Sequence, residues 1–197
     1  VNGMYQRSLN KGSEFLIPEY KLFDGGAFAM ASRQYGQFNL SGGLRVDSRR
    51  DHGYGLTAVD EESGSDEPIE KFRDFKRNFY GVSGSIGATY QISSAWDMKL
   101  NFSKGFRAPN MSELASNGAH EGTLRYEIGN TSLKSENSWQ ADWGLSYSSK
   151  VISGTVSLFA NRINNYIFAH KLTDAQGNDI LTDDKMTYEY ASGNARI

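Results

Sequence analysis

His120 has two carboxylates close to it in the sequence, a pattern that could contact a metal. Glu121 follows His120 directly, and Glu127 lies nearby. Imidazole ligates zinc and haem iron, and carboxylates complete many zinc sites. His52 and His170 fall in other segments, so no spaced histidine cluster surrounds His120. The pattern allows a metal contact, and a hydrogen-bonded loop histidine is the favoured alternative.

A second group of potential ligands is an acidic, turn-rich run. It contains Asp60, Glu61, Glu62, Gly64, Asp66, Glu67 and Pro68. Charge runs that include glycine and proline are typical of solvated loop tips. The run is therefore interpreted as a loop tip, with contact to a cation or another ligand as the alternative.

Residue patterns that indicate catalysis are missing from the sequence. There is no cysteine nucleophile, no G-x-S-x-G elbow and no H-E-x-x-H pair. Glycine–serine runs at 63–65 and 83–87 lack the lysine and the strand-to-helix setting of a phosphate-binding loop. We therefore expect no enzyme chemistry and no cofactor.

Composition excludes some classes of function. The 197 residues carry a formal net charge of −2, whereas a nucleic-acid partner requires a clustered basic excess. No run of ~18 apolar residues could form a spanning helix, but a spanning β-strand needs only about 10 alternating residues. The start of the chain has no charged leader followed by an apolar core, so either a leader was removed or the chain is an excised piece.

The elements that carry these residues are predicted to be strands, and the clearest is Tyr80–Ile92. Its side chains alternate without a break between an apolar set and a small or polar set. Ten residues at roughly 3.3 Å each, tilted by about 45°, span about 23 Å vertically. The apolar band of an outer-membrane barrel is about 25 Å tall and is bounded by aromatic residues, a role open here to Tyr80 and Tyr90. The segment is typical of a strand with lipid on one side and water on the other.

The same alternation predicts further strands. Apolar rows occur in segments 38–46, 96–106, 139–147 and 152–160, a weaker strand is predicted at 20–33, and another begins near Met186. In the second segment Phe102 and Phe106 belong to the apolar row, and Lys104 interrupts it where a long side chain can reach a head-group region. No helix of useful length is predicted.

The predicted connections alternate strictly in length. Short links fall at 34–37, 93–95 and 148–151, and long links at about 48–78, 108–138 and 169–185. A soluble sandwich has no reason to collect its long loops at one end. An outer-membrane barrel combines short periplasmic turns with longer extracellular loops.

Five motifs, in order along the chain, give the sequence a recognisable character. They are GSEFLIP at 12–18, SGGLRVD at 41–47, GFRAPNMSEL at 105–114, NGAHEGTLRYEIGNTSLKSENS at 117–138, and NRINNYIF at 161–168. Together they resemble the β-barrel of TonB-dependent outer-membrane receptors, which import iron-siderophores, haem, cobalamin, metals or glycans. Val46 departs from the tyrosine common at that position of the family.

The resemblance implies an all-β fold, an antiparallel up-and-down meander with long loops at one end and tight turns at the other. Residues 1–197 would form a segment of a transmembrane barrel of about 22 strands, with the plug domain and the remaining strands absent from this sequence. It also implies a place in the bacterial outer membrane, where a scarce nutrient such as iron-siderophore, haem or metal is taken up. The implied partners are membrane lipid, an extracellular small-molecule or metal ligand, and TonB acting through the plug, with no nucleic acid.

The residues of the signature segment are candidates for a structural or ligand-facing role. They are Arg107, Pro109, Asn110, Glu113, Tyr126, Glu127, Asn130 and Glu136. We expect Pro109 to end a strand and Arg107 to cap it or to pair with a loop carboxylate. Asn110, Glu113 and Asn130, together with Glu136, are expected to organise the long loop through hydrogen bonds to the backbone. The same segment is most similar to a receptor subgroup that includes zinc and haem importers, which adds interest to His120.

The alternative is a soluble β-sandwich that binds glycans or a protein partner. The two interpretations differ in what covers the apolar rows. In a sandwich, two sheets bury them against each other, whereas in a receptor they face lipid.

Overall fold

The computed structural model describes residues 1–11, 15–59, 68–120 and 122–197. Its elements, in chain order, are Asn2–Ser8 (β1), Tyr20–Tyr35 (β2), Phe38–Gly53 (β3), Leu56–Val59 (β4), Pro68–Phe72 (β5), Phe75–Gln91 (β6), Trp96–Arg107 (β7), Met111–Ala115 (α1), Asn117–His120 (β8), Arg125–Ile128 (β9), Glu136–Ser148 (β10), Ser153–Lys171 (β11), Leu181–Thr182 (β12) and Lys185–Arg196 (β13). In these described ranges, no helix has the length and apolar character needed to cross a membrane.

One antiparallel sheet forms the wall of the molecule. Its strands lie side by side in the order β1, β2, β3, β6, β7, β10, β11, β13. The predicted all-β, antiparallel meander is confirmed. One pair departs from it, because β9 adds to the edge of β13 in parallel, with Arg125 opposite Met186.

Short turns join β2 to β3, β6 to β7, and β10 to β11, whereas long connections join β3 to β6, β7 to β10, and β11 to β13. Because neighbouring strands are antiparallel, these short turns lie at one end of the wall and the long connections at the other. The turn between β2 and β3 contains Gly36, whose φ of +57° suits a residue without a Cβ. We call the end with the long connections the upper end.

The strands continue beyond the segments that apolar alternation predicted. β3 runs to Gly53 and pairs there with Phe75 of β6, so both strands pass well beyond Tyr80. A backbone ladder needs no apolar side chains, and the polar pattern of residues 47–53 concealed this extension. The first strand, β1, and the hairpin of β4 and β5 had no predicted counterpart.

The two faces of the wall differ in chemistry. The apolar face carries the predicted rows, and its large side chains are exposed: Ile86 by 68%, Leu158 by 64% and Leu44 by 59%. No second layer covers these rows anywhere in the described chain. The sandwich alternative is therefore wrong, because it requires a second sheet on this face.

Phe106 is an exception to the predicted face assignment. Its ring covers Gly81 so closely that a Cβ on that glycine would overlap it. It also packs against a buried cluster on the opposite, polar face of the wall. Placing Phe106 in the lipid-facing row was therefore wrong, because β7 pairs with β6 only up to Lys104 opposite Gly84.

The hydrophobic core lies at the upper end, between the polar face and residues 108–135, which we call the β7–β10 connection. One cluster contains Phe79, Ala108, Leu114, Leu133 and Ile167, and a second contains Tyr20, Leu22 and Met111. Both include residues of α1 or of the segments around it. Burial of these side chains folds the connection back onto the wall.

Candidate functional site

Arg107, at the upper end of β7, joins three elements. Its Nε and Nη2 donate to Glu136 on the neighbouring strand, at 2.7 Å each. Its Nη1 donates to both carboxylate oxygens of Glu113 in α1, at 2.9 Å each. The two carboxylate side chains are only 13% and 11% exposed, whereas that of Arg107 is 41% exposed. Arg107 thus fixes the helix to the top of the wall through charge-assisted hydrogen bonds.

The helix α1 begins with a capping box. The backbone N–H of Glu113 donates to Oδ1 of Asn110, and the N–H of Asn110 donates to Oε2 of Glu113, both at 2.8 Å. Pro109 precedes the cap and is fully buried. Sequence analysis missed this helix, although an asparagine followed three residues later by glutamate is a known start signal. Its five residues are too few for the period of a helix to be visible.

The second half of the signature segment closes against the helix. The N–H of Gly129 donates to the carbonyl of Ser116 at 2.6 Å, and a Cβ on Gly129 would overlap the backbone there. Asn130 donates its N–H to the carbonyl of Glu113 at 2.9 Å, and its Oδ1 accepts from the N–H of Ser132 at 2.9 Å. Leu133, 3% exposed, then enters the core. This segment therefore forms a compact turn on α1.

Two other predicted residues lie in β9, at the side of this unit. The Tyr126 hydroxyl donates to Oδ1 of Asn117 at 2.9 Å. Glu127 is buried, and its Oε2 accepts from the hydroxyl of Tyr190 on β13 at 3.1 Å. The Tyr126 bond thus links the two strands of the β8–β9 hairpin, and the Glu127 bond connects the hairpin to β13.

Glu136 also supports β11. Its Oε1 accepts from the N–H of Ile167 at 2.7 Å. The hydrogen bonds from Arg107, followed by the bond from Ile167, hold the pKa of the Glu136 carboxyl below its ordinary value, against the effect of burial. This carboxyl lies above Trp139 and above the band of apolar side chains. It is therefore at the upper end of the wall, outside the membrane-spanning part.

Polar residues of β3 line the same end, and sequence analysis did not single them out. Arg45, Asp47, Arg49 and Asp51 alternate along the strand and so share its polar face. Nε and Nη2 of Arg49 donate to Asp24 at 2.7 Å each. The alternation of basic and acidic residues along 45–51 is the sequence signal that could have identified this polar face.

Asp51 is the exception among these side chains, since it is buried without a hydrogen-bond partner. It is 4% exposed, and neither carboxylate oxygen has a partner within the described residues. Burial raises the pKa of Asp51 to about 6, and Asp24 adds to the rise while Arg49 opposes it. In the backbone ladder between β3 and β6, Asp51 lies opposite Arg77, which is above Tyr80. Asp51 is therefore outside the apolar band.

A polar cavity of about 580 Å³ opens on this face below α1. Its lining includes Asp24, Arg45, Asp47, Arg49 and Arg107. Each guanidinium is already bound to a carboxylate. The cavity therefore offers hydrogen-bonding groups of both signs and little net charge.

His120 stands apart from this network. Its Nδ1 is buried and has no hydrogen-bond partner within the described residues. Across those residues, no group of three or more histidine, aspartate or glutamate side chains is arranged to hold a metal ion. Glu121, predicted as its neighbouring ligand, and the acidic residues 60–67 lie outside the described residues.

Comparison with known proteins supports one family. Residues 4–197 match the family described as "TonB dependent receptor-like, beta-barrel". The wall resembles the hemophore receptor HasR of Serratia marcescens, with a TM-score of 0.72 and 18% identity, covering 98% of this chain and 34% of that one. It also resembles the copper transporter OprC (TM-score 0.70, 17% identity, 90% and 25% covered) and the ferric-catecholate import receptor Fiu of E. coli K12 (0.60, 18%, 90% and 24%). At these identities the structural likeness shows a shared fold, and the chain spans between a quarter and a third of each protein.

Proposed function

Because this chain belongs to the TonB-dependent receptor family, we propose that it forms part of the wall of an active-transport receptor. Its location is the bacterial outer membrane, as for the proteins it resembles. In this proposal the receptor takes up a scarce nutrient such as an iron-siderophore, haem or a metal, and TonB supplies the energy. Further strands close the wall into a barrel of about 22 strands around a plug.

The single observation that carries the proposal is the contrast between the two faces of the wall. Large apolar side chains such as Ile86 and Leu158 are exposed on one face. The opposite face carries hydrogen-bonded polar side chains. Among them, Nδ2 of Asn101 donates to Oδ2 of Asp142 at 3.2 Å. A wall of this kind separates lipid from a polar passage. The family consists of transport receptors rather than enzymes, which agrees with this role.

The upper end supplies the surface that a ligand would meet first. We assign a positioning role to Arg107, Pro109, Asn110, Glu113, Asn130 and Glu136, which hold the β7–β10 connection against the wall. Glu127 is assigned the same role for the β8–β9 hairpin, and Tyr126 the role of holding the two strands of that hairpin together. Ligand contact is assigned instead to the polar cavity, whose arginine and aspartate side chains can exchange partners with a polar solute.

Uptake by the complete receptor tests this function. The receptor would be expressed in strains with and without TonB, and each strain supplied with a ferric catecholate siderophore, with haem or with copper. We expect TonB-dependent accumulation of one of the three. The proposal for these substrate classes would be overturned if both strains accumulate the substrates equally, or if none of the three substrates accumulates in either strain.

A cavity variant separates ligand contact from wall stability. Arg45→Gln removes a cavity guanidinium, and Lys150→Gln removes a cation in a turn at the opposite end of the wall. We expect weaker substrate binding only for the first variant. If both bind substrate equally well, the cavity is not the contact surface.

His120 remains a predicted metal contact, and we propose it as a minor one. Its Nδ1 without a partner is the observation in its favour. Zinc and haem affinity would be measured on the intact receptor for the native protein and for His120→Ala. Unchanged affinity for both ligands would remove His120 from the site.

A further inference from the structure

Asp51 lies on the polar face between two arginines of the wall. Arg49 is two residues away on β3, and Arg77 is directly opposite on β6. Residues two apart on a strand share a face, as do residues opposite each other on neighbouring strands. Within the described residues, however, neither carboxylate oxygen of Asp51 accepts a hydrogen bond.

Each arginine donates instead to backbone carbonyls of the β7–β10 connection. Nη1 of Arg49 donates to the carbonyl of Pro109 at 3.4 Å, just before α1 begins. Arg77 donates through Nη1 to the carbonyl of Thr131, and through Nη2 to that of Leu133 at 2.8 Å. The two arginines therefore hold the connection near both of its ends.

The buried position of Asp51 limits the groups that can neutralise it. Leu22, opposite it on β2, is buried and packs with Met111 of α1, and α1 also packs against β3. The charged and titratable groups that these surrounding elements place on the same side are Tyr20 and Asp24 on β2, Arg49 on β3, Arg77 on β6 and Glu113 on α1. In that set, only the two arginines are cations.

Hydrogen bonds from these arginines to the aspartate need no movement of the wall. On the same strand, Arg45 donates to Asp47, which is also two residues ahead, at 2.8 Å. Arg49 can do the same with Nη1, because its Nε and Nη2 are the groups that bind Asp24. Opposite residues on paired strands have Cβ atoms about 4.5–5.5 Å apart, which is within the reach of Arg77.

The charge on Asp51 decides which of the two sets of bonds is more stable. A buried ionised carboxylate without a partner is strongly disfavoured. An ion pair adds attraction between opposite charges to the hydrogen bond, which a neutral carbonyl cannot offer. Ionised Asp51 therefore competes with the connection for both guanidinium groups, whereas protonated Asp51 leaves them on the carbonyls.

We propose that Asp51 is a proton-dependent switch for the docking of the β7–β10 connection. While Asp51 is protonated, Arg49 and Arg77 hold the connection against the wall. When Asp51 ionises, the arginines turn to it and the connection loosens. The residues on either side of Pro109 line the polar cavity, so loosening of this segment opens the cover of the cavity.

Hydrogen exchange on the reconstituted complete receptor at pH 5 and pH 8 tests the switch. The informative amides are those that bond within the connection, such as that of Asn130. Both pH values lie above 4.5, the ordinary pKa of Glu136, so this carboxyl stays ionised. The test variant Asp51→Asn keeps the shape of the side chain but cannot ionise. The control Asp47→Asn removes an acid from the same face of β3, where its partner is Arg45.

The sign of the effect follows from the raised pKa of Asp51, which is about 6. Proton binding stabilises the docked form below that pKa, and this contribution is lost as pH rises through it. Because pH 5 is one unit lower, protection corrected for intrinsic exchange should fall about tenfold from pH 5 to pH 8 in the native receptor and in Asp47→Asn. Asp51→Asn should keep the high protection at both pH values. A similar fall in Asp51→Asn, or none in the native receptor, would overturn the proposal.

Crystal structures of the complete receptor at the same two pH values distinguish the switch from the simple cost of burying a charge. At pH 8 a guanidinium nitrogen of Arg49 or Arg77 should lie within about 3.2 Å of an Asp51 oxygen. If both arginines remain on the carbonyls at pH 8 while Asp51 has no partner, the switch is refuted even where exchange depends on pH. Neither measurement uses a transported substrate, so the outcome is independent of the proposed transport function.

Discussion

Replacing Arg107 by methionine should release the β7–β10 connection from the wall while leaving the wall itself intact. Methionine keeps most of the side-chain volume but makes none of the hydrogen bonds to Glu113 and Glu136. Two carboxylates that are only 11% and 13% exposed then face each other without a cation. Both burial and like charge oppose that arrangement.

The expected size of the effect follows from this geometry. Breaking a fully buried ion pair costs about 3–5 kcal/mol. The Arg107 side chain is 41% exposed, so water compensates part of the loss and about 2–3 kcal/mol remains. That change corresponds to a roughly 30- to 150-fold increase in the opening equilibrium of the connection.

Hydrogen exchange on the reconstituted complete receptor measures this opening. The informative amides are those that the folded connection protects, among them Leu114, which bonds to Asn110, and Asn130, which bonds to Glu113. The matched control is Arg45→Met, since Arg45 also pairs with an aspartate but makes no hydrogen bond to the connection. Protection should fall in the first variant and stay unchanged in the second.

The pH dependence gives an independent check. The pKa of Glu136 is lowered in the folded protein, chiefly by Arg107, so its stabilising contribution is present above the ordinary value of 4.5. It disappears as pH falls through the lower folded pKa. Native protection, corrected for intrinsic exchange, should therefore decline in acid more steeply than that of Arg107→Met. If Arg107→Met exchanges like the native protein at neutral pH, the network does not hold the connection and the reasoning fails.

Three further predictions concern the wall and its upper end. Ile86→Asp should destabilise insertion of the complete receptor into bilayers by about 1–4 kcal/mol and Ser85→Asp by much less, because only the first places a charge against lipid; equal folding yields would contradict the face assignment. Gly129→Ala should cost about 1–3 kcal/mol or more by overpacking against backbone, measured by urea unfolding, while Gly154→Ala, with open space at its Cβ, should be neutral. The pKa of Asp51 is raised to about 6, so this carboxyl binds its proton more tightly in the folded state, and the free energy of unfolding should rise by about 2 kcal/mol as pH falls from 7 to 4. Asp51→Asn should remove this dependence on pH. Hydrogen exchange of the β3 amides over that pH range measures it, and the same pH dependence in the native protein and the variant would contradict the prediction.

The wall was predictable because contact with lipid on one face requires a regular alternation of side chains along each strand. Every second side chain between Tyr80 and Tyr90 had to be apolar or small, and this period of two is visible in the sequence alone. The alternation ends where the membrane ends. Above Tyr80 the strands continue on backbone hydrogen bonds with mixed side chains, so their length could not be predicted from alternation.

The upper end was predictable only in part, because its interactions are specific rather than periodic. The sequence allowed Arg107 to pair with a carboxylate of the loop, but it did not identify Glu113 and Glu136 together. That choice depends on a five-residue helix whose start Asn110 defines. The inward position of Phe106 depends on Gly81 of β6, because any side chain there would overlap the phenylalanine ring. At this level β7 no longer pairs with β6. Such relations between distant segments leave no local signal.

The separation of the core from the lipid-facing rows has a consequence for how the wall is stabilised. Leu114 and Leu133, in the β7–β10 connection, pack with Phe79 and Ile167 of the wall, and these buried side chains all lie at the upper end. Towards the short turns, the large apolar side chains such as Val156 and Leu158 are exposed and gain burial only from lipid. Removal of lipid should therefore expose the lower wall while the upper wall and its docked connection remain folded as one cooperative unit. The Arg107 network, at the centre of that unit, then sets a stability that depends on pH and on charge, whereas the lower wall has a stability that depends on the membrane.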